Sequence, residues 1–151
     1  MRIAVAHRGA ERGPLGRIAL PAKSAGRGER RRPVDGRADL KKLIDHSDLE
    51  KPLYNARLYT PDGDFIAKPD AWWQRAGVAG EVDSREYHME AADYRATQMR
   101  HNRMESYGIN VQHWLPSVIA TESRTVLCDL RRAIAAGHAR PLLPVVTMVD
   151  G

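Results

Sequence analysis

A chain of 151 residues with a mean hydropathy of −0.52 can bury one core but holds no apolar run fit to cross a bilayer, and Ile3 to Ala6 gives way to His7 and Arg8 before a signal-peptide core could form. The single cysteine, Cys128, excludes an internal disulfide and a cysteine-built zinc site and suits a reducing compartment, so a soluble cytoplasmic protein with no membrane partner is expected. The net charge of +5 is uneven: residues 1–42 hold 12 Lys/Arg against 4 Asp/Glu and residues 43–151 hold 12 against 15, so the bulk of the chain must meet a polyanion through local cations or a metal rather than through its overall field.

Residues 1–36 contain no aromatic side chain, half of all the glycines and the run Gly26-Arg27-Gly28-Glu29-Arg30-Arg31-Arg32. Such a segment buries too little apolar area to order itself, which predicts a flexible basic tail ahead of one domain over 37–151. It reads as a solvated extension or as an arm lying on phosphates. Residues 38–46 carry Leu40, Leu43 and Ile44 at helical spacing. Residues 53–60 alternate as a strand does, Thr60-Pro61-Asp62-Gly63-Asp64 is turn chemistry, and Phe65-Ile66-Ala67 begins the return strand. A second turn at 74–77 leads into Val78-Ala79-Gly80-Glu81-Val82-Asp83, so three consecutive strands are expected, with 84–88 as the exit loop.

Residues 90–107 predict the longest helix, with Ala92, Ala96, Met99 and Arg103 as its inner stripe and Gly108 as its stop. Residues 109–114 predict a strand ended by Pro116, and 122–136 a last helix with Val126, Leu127, Leu130 and Ile134 inward, Cys128 in the same apolar stripe and Gly137 as cap. Three strands, a crossover helix and a fourth strand define an α/β class, a mixed sheet flanked by helices.

The chemistry concentrates in Pro69-Asp70, then ten residues, then Glu81-Val82-Asp83. Glu81 and Asp83 are two apart in a strand and share a face, and a hairpin of this length brings Asp70 beside them. Three converging carboxylates repel one another unless a hard divalent cation holds them, which points to Mg²⁺ (or Mn²⁺) polarising a phosphodiester and acidifying a bound water.

Pro69-Asp70-Ala71-Trp72-Trp73 together with Glu81-Val82-Asp83-Ser84-Arg85-Glu86-Tyr87-His88 resembles the PD-(D/E)xK nuclease superfamily, in particular small domains related to the very-short-patch-repair endonucleases, and the likeness extends through Arg100-His101 to Trp114. The resemblance implies a restriction-endonuclease-like core of αβββαβ order, double-stranded DNA as substrate, Asp70 as primary metal ligand and Glu81 as the second. By the same resemblance His88, after an aromatic residue, is the general base or water-orienting group, a task an imidazole suits near neutral pH. Asp83 stands where the motif has lysine, so it reads either as extra metal coordination or as the mark of a domain that binds without cutting. Lys68, two residues before Asp70, could supply the missing cation or pair with the carboxylates, and Lys68, Arg85 and Arg100 are candidate DNA contacts.

Similar actinobacterial chains carry this domain behind an N-terminal winged helix, in AbiEi-type antitoxins of type IV toxin–antitoxin systems. Residues 1–36 are too short and polar to form that module, which suggests a truncated or mis-started copy. This likeness gives a second expectation from another class, a non-catalytic DNA-binding or regulatory module with a toxin partner. Adjacent Trp72 and Trp73 must face opposite ways, which favours core packing over a wedge between bases, and His101 and His113 have no partners at zinc spacing.

Overall fold

A computed structural model describes residues 35–83 and 90–151. The expected tail, up to residue 34, and the exit loop with Arg85 and His88 lie outside the described residues. The first helix, α1 (Gly36–Asp45), starts two residues earlier than the apolar spacing suggested, because Asp35 caps it: its carboxylate accepts from the backbone N–H groups of Arg37 and Ala38 at 3.2 and 3.3 Å. Leu40 and Ile44, one turn apart, form its buried face.

The strand expected over 53–60 is two strands, β1 (Leu53–Tyr54) and β2 (Arg57–Tyr59). Asn55 between them sits at φ 54°, a left-handed conformation that Asn tolerates and a strand does not. The return strand breaks at the same level, into β3 (Phe65–Ala67) and β4 (Ala71–Trp73), where Pro69 lacks a ladder N–H. The two breaks are tied together, Asn55 N–H donating to the Asp70 carbonyl at 3.2 Å. The long hairpin therefore changes sheet halfway along: β1 pairs with β4, and β2 with β3. The expected turn at its tip is present, Thr60 accepting from Gly63 N–H through its carbonyl and from Asp64 N–H through its hydroxyl.

Residues 74–77 turn the chain from β4 into β5 (Val78–Val82), with Gly77 at φ 64°. α2 (Ala91–Ser106) then leads to β6 (Asn110–Trp114), parallel to β5 as a crossover requires. Pro116 does more than stop that strand: it opens a short helix, α3 (Pro116–Thr121), where a missing N–H costs nothing. α4 (Ser123–His138) follows, and β7 (Val146–Met148) returns to pair with β2. Gly137 does not cap α4 but lies inside it. A Cβ there would stand 2.1 Å from the Ala76 carbonyl oxygen, so glycine lets the helix press against the β4–β5 turn.

The fold is thus α/β, with a mixed sheet in the order β1-β4-β5-β6, an antiparallel sheet in the order β3-β2-β7, and flanking helices. Each face of the larger sheet has its own core. Trp73, Ala71 and Val78 pack with Leu40 and Ile44 of α1 and Val126, Leu130 and Ile134 of α4. Trp72, Ala79 and Val111 pack with Leu58 and Ile66 of the smaller sheet and with Met104 and Ile109. Both tryptophans are core residues with satisfied indole N–H groups, Trp72 donating to Thr147 Oγ1 at 3.0 Å and Trp73 to the Glu50 carbonyl at 2.7 Å. Two expectations about helix faces are corrected. Ala92, Ala96, Met99 and Arg103 of α2 are exposed, its buried residues being His101 and Met104, and Cys128 of α4 is exposed. Among the described residues no helix is long and apolar enough to cross a membrane.

Candidate functional site

The break between β3 and β4 places Asp70 at the mouth of the larger sheet, beside the C-terminal end of β5. Its carboxylate lies towards α1: Oδ2 accepts from the Val82 backbone N–H at 2.9 Å, and Oδ1 is 2.9 Å from Arg37 Nε. Burial pushes the Asp70 pKa above the ordinary carboxylate value and the charge of Glu81 adds to the rise, while the Val82 N–H, Arg37 and Arg100 pull it back.

Glu81, only 3% exposed, is held from the α2 side. Arg100 grips it with two bonds, Nε to Oε1 at 3.1 Å and Nη2 to Oε2 at 2.9 Å, and His101 Nε2 lies 2.7 Å from Oε2. A planar guanidinium and an imidazole on successive residues thus converge on one buried carboxylate, the paired arrangement that a charge out of water requires. His113 is the register partner of Glu81 on β6, and its ring lies 4.8 Å from that of His101. Asp83, just past β5 and 4% exposed, donates its backbone N–H to the Trp114 carbonyl at 2.8 Å, and its Oδ2 is 3.8 Å from His113 Nδ1.

Asp70 and Glu81 thus lie near the same end of β5 but turn to different partners, Asp70 to Val82 and Arg37 of α1 and Glu81 to Arg100 and His101 of α2, while Asp83 faces His113, so the expected convergence of three carboxylates is not seen. The described part of the chain contains no group of three or more His, Cys, Asp or Glu side chains arranged to hold a metal ion. The donor atoms themselves are of the kind Mg²⁺ or Mn²⁺ takes, since Asp70 and Glu81 offer hard carboxylate oxygens. Both oxygens of Glu81 already have cationic partners, however, so a metal ion would have to displace Arg100. Lys68 does not face this site. β3 ends at Ala67, and Lys68 Nζ instead lies 3.8 Å from Asp150 Oδ2, which Arg57 also approaches at 3.4 Å.

Arg37 was not singled out from the sequence, and neither His101 nor His113 was expected to pair with a carboxylate. The signal for His101 was its position three residues before Met104, on the stripe that α2 buries. Searches against protein-family models, curated proteins and solved structures found no match to this chain.

Proposed function

We propose that the chain is a metal-dependent nuclease-like domain that acts on DNA phosphodiesters. The observation that carries this reading is the two carboxylates at the C-terminal end of β5, half-buried Asp70 just before β4 and buried Glu81 on β5, flanked by Arg37, Arg100 and His101. The order along the larger sheet, a helix, three strands, a crossover helix and a parallel fourth strand, supports a restriction-endonuclease-like arrangement in which the β2–β3 hairpin is an excursion into a second sheet.

Asp70 and Glu81 would hold Mg²⁺ or Mn²⁺, with Asp83 as support, and the ion would polarise a phosphodiester and acidify a bound water. Arg100 has two tasks available, neutralising Glu81 in the resting site and binding a phosphate when released. His101, buried against Glu81, can hold or pass a proton at Nε2. His88 remains the candidate base by resemblance. Plasmid cleavage with Mg²⁺ or Mn²⁺, compared between wild type and Asp70→Ala, tests the reading: metal-dependent cutting that the substitution abolishes is expected, and wild-type protein that never cuts would refute it.

One observation favours a second reading. Because Arg100 and His101 already saturate Glu81, the site is stable without a metal, as a DNA-binding or antitoxin-like regulatory module with a toxin partner would need. Duplex binding without cleavage under any divalent cation would support it.

A further inference from the structure

α2 carries a stripe at helical spacing that the core does not use. Ala96, Met99, Arg100 and Arg103 lie at i, i+3, i+4 and i+7, and instead of entering the interior they form one wall of a cavity of about 460 Å³. β3 and the residue after it form the other wall, with Phe65 at the rim and Lys68 beside it. Phe65 and Met99 are each about half exposed, at 51% and 53%, although both are large and apolar. Among the described lining residues three are cations and none is acidic. Arg103 has no acidic partner among the described residues, while Arg100 reaches from this cavity to Glu81.

A space of this size with an apolar, aromatic wall and a cationic rim suits one ligand chemistry, a flat unsaturated ring joined to a phosphate. We propose that the β3–α2 cavity is a nucleotide subsite, which takes one base of a nucleic-acid strand out of its stack, lays it against Phe65 and Met99, and holds the adjoining phosphate with Arg103 and Arg100. The inference rests on the nucleic-acid reading above and deepens it, because a base can enter only from a single strand or by leaving a duplex. Arg100 links the subsite to the carboxylate pair: a phosphate that draws its guanidinium away from Glu81 releases a ligand oxygen at the same moment.

The test is fluorescence anisotropy of the full chain with a labelled single-stranded oligonucleotide and with a blunt duplex of the same sequence, in EDTA so that cleavage plays no part. The single strand should bind more tightly than the blunt duplex. Phe65→Ala should weaken single-strand binding at least about five-fold, as loss of a stacking partner does. Arg103→Glu should weaken it more, and Arg124→Glu, the same charge change on exposed α4, should have a much smaller effect. All three side chains are exposed, so unchanged melting curves establish folding. Binding of Phe65→Ala and Arg103→Glu that matches the Arg124→Glu control would overturn the subsite, as would equal competition by an acidic peptide, which would mark the cavity as a protein-docking surface. The two readings fail separately: plasmid cutting that depends on Asp70 but not on Phe65 or Arg103 removes the subsite and keeps the nuclease, whereas lost single-strand binding in a protein that never cuts removes the nuclease and keeps the subsite.

Discussion

The two faces of the larger sheet are built on different principles. Towards α1 and α4 the interior is apolar, with Trp73 seated among Leu40, Ile44, Val126, Leu130 and Ile134. Towards α2 an apolar patch around Trp72 and Met104 gives way, at the C-terminal end of β5, to Glu81, Arg100 and His101. A helix that packs through a histidine bound to a buried glutamate gains little from area burial and depends on keeping that charge paired. The first face is built to hold the fold together, and the second is the one to which the proposed function assigns the chemistry.

Truncation should separate the two faces. Trp73→Ala removes a buried indole and strands the Glu50 carbonyl, so urea unfolding should show a loss of about 3–5 kcal/mol. A loss below about 1 kcal/mol would mean that the α1/α4 face is not the principal core. Glu81→Ala leaves His101 buried without its partner while Arg100, 43% exposed, recovers water; a loss of about 1–3 kcal/mol is expected, less than for Trp73.

Asp70→Asn sharpens the comparison through its sign. The pKa of Asp70 is raised in the folded state, so folding favours the protonated form, and that preference stabilises the protein below the ordinary carboxylate value and is lost as pH rises through the folded value. Asparagine mimics the protonated form. Thermal melts should therefore show the variant more stable than wild type at neutral pH, with the difference shrinking in acid. A variant less stable at neutral pH would show that the Arg37 pair outweighs burial. The smallest effect on stability belongs to Arg100→Gln, at most about 1 kcal/mol in melts because the guanidinium is partly solvated.

The elements with strong local signals were legible in the sequence: α1, the Thr60–Asp64 turn, β5, α2, β6 and α4 all appear near their expected places. The change of sheet at Asn55 and Pro69 was not, because period-two alternation runs through both breaks and does not reveal which partner each half takes. Among the described residues β7 is an exposed edge strand that pairs with the distant β2, Met148 opposite Arg57 and Val146 opposite Tyr59, a pairing that no local pattern encodes. The inner face of α2 was misassigned for a physical reason. Its buried stripe contains His101, polar by composition and buried only because Glu81 receives it, whereas Ala96 and Met99, apolar by composition, line an open cavity. Spacing placed Asp70 near the end of β5 that carries Glu81, but not the way each side chain turns: Asp70 goes to Val82 and Arg37, Glu81 to Arg100 and His101, partners that alternation along a strand does not encode.

Isothermal titration with Mn²⁺ bears most directly on the carboxylate pair as a cation site. Wild-type protein should bind the ion with a heat signal that Asp70→Asn and Glu81→Gln each abolish and that Arg100→Gln, which frees Glu81, strengthens. Wild-type protein that takes up no Mn²⁺, or takes it up equally well in all three variants, would contradict the account.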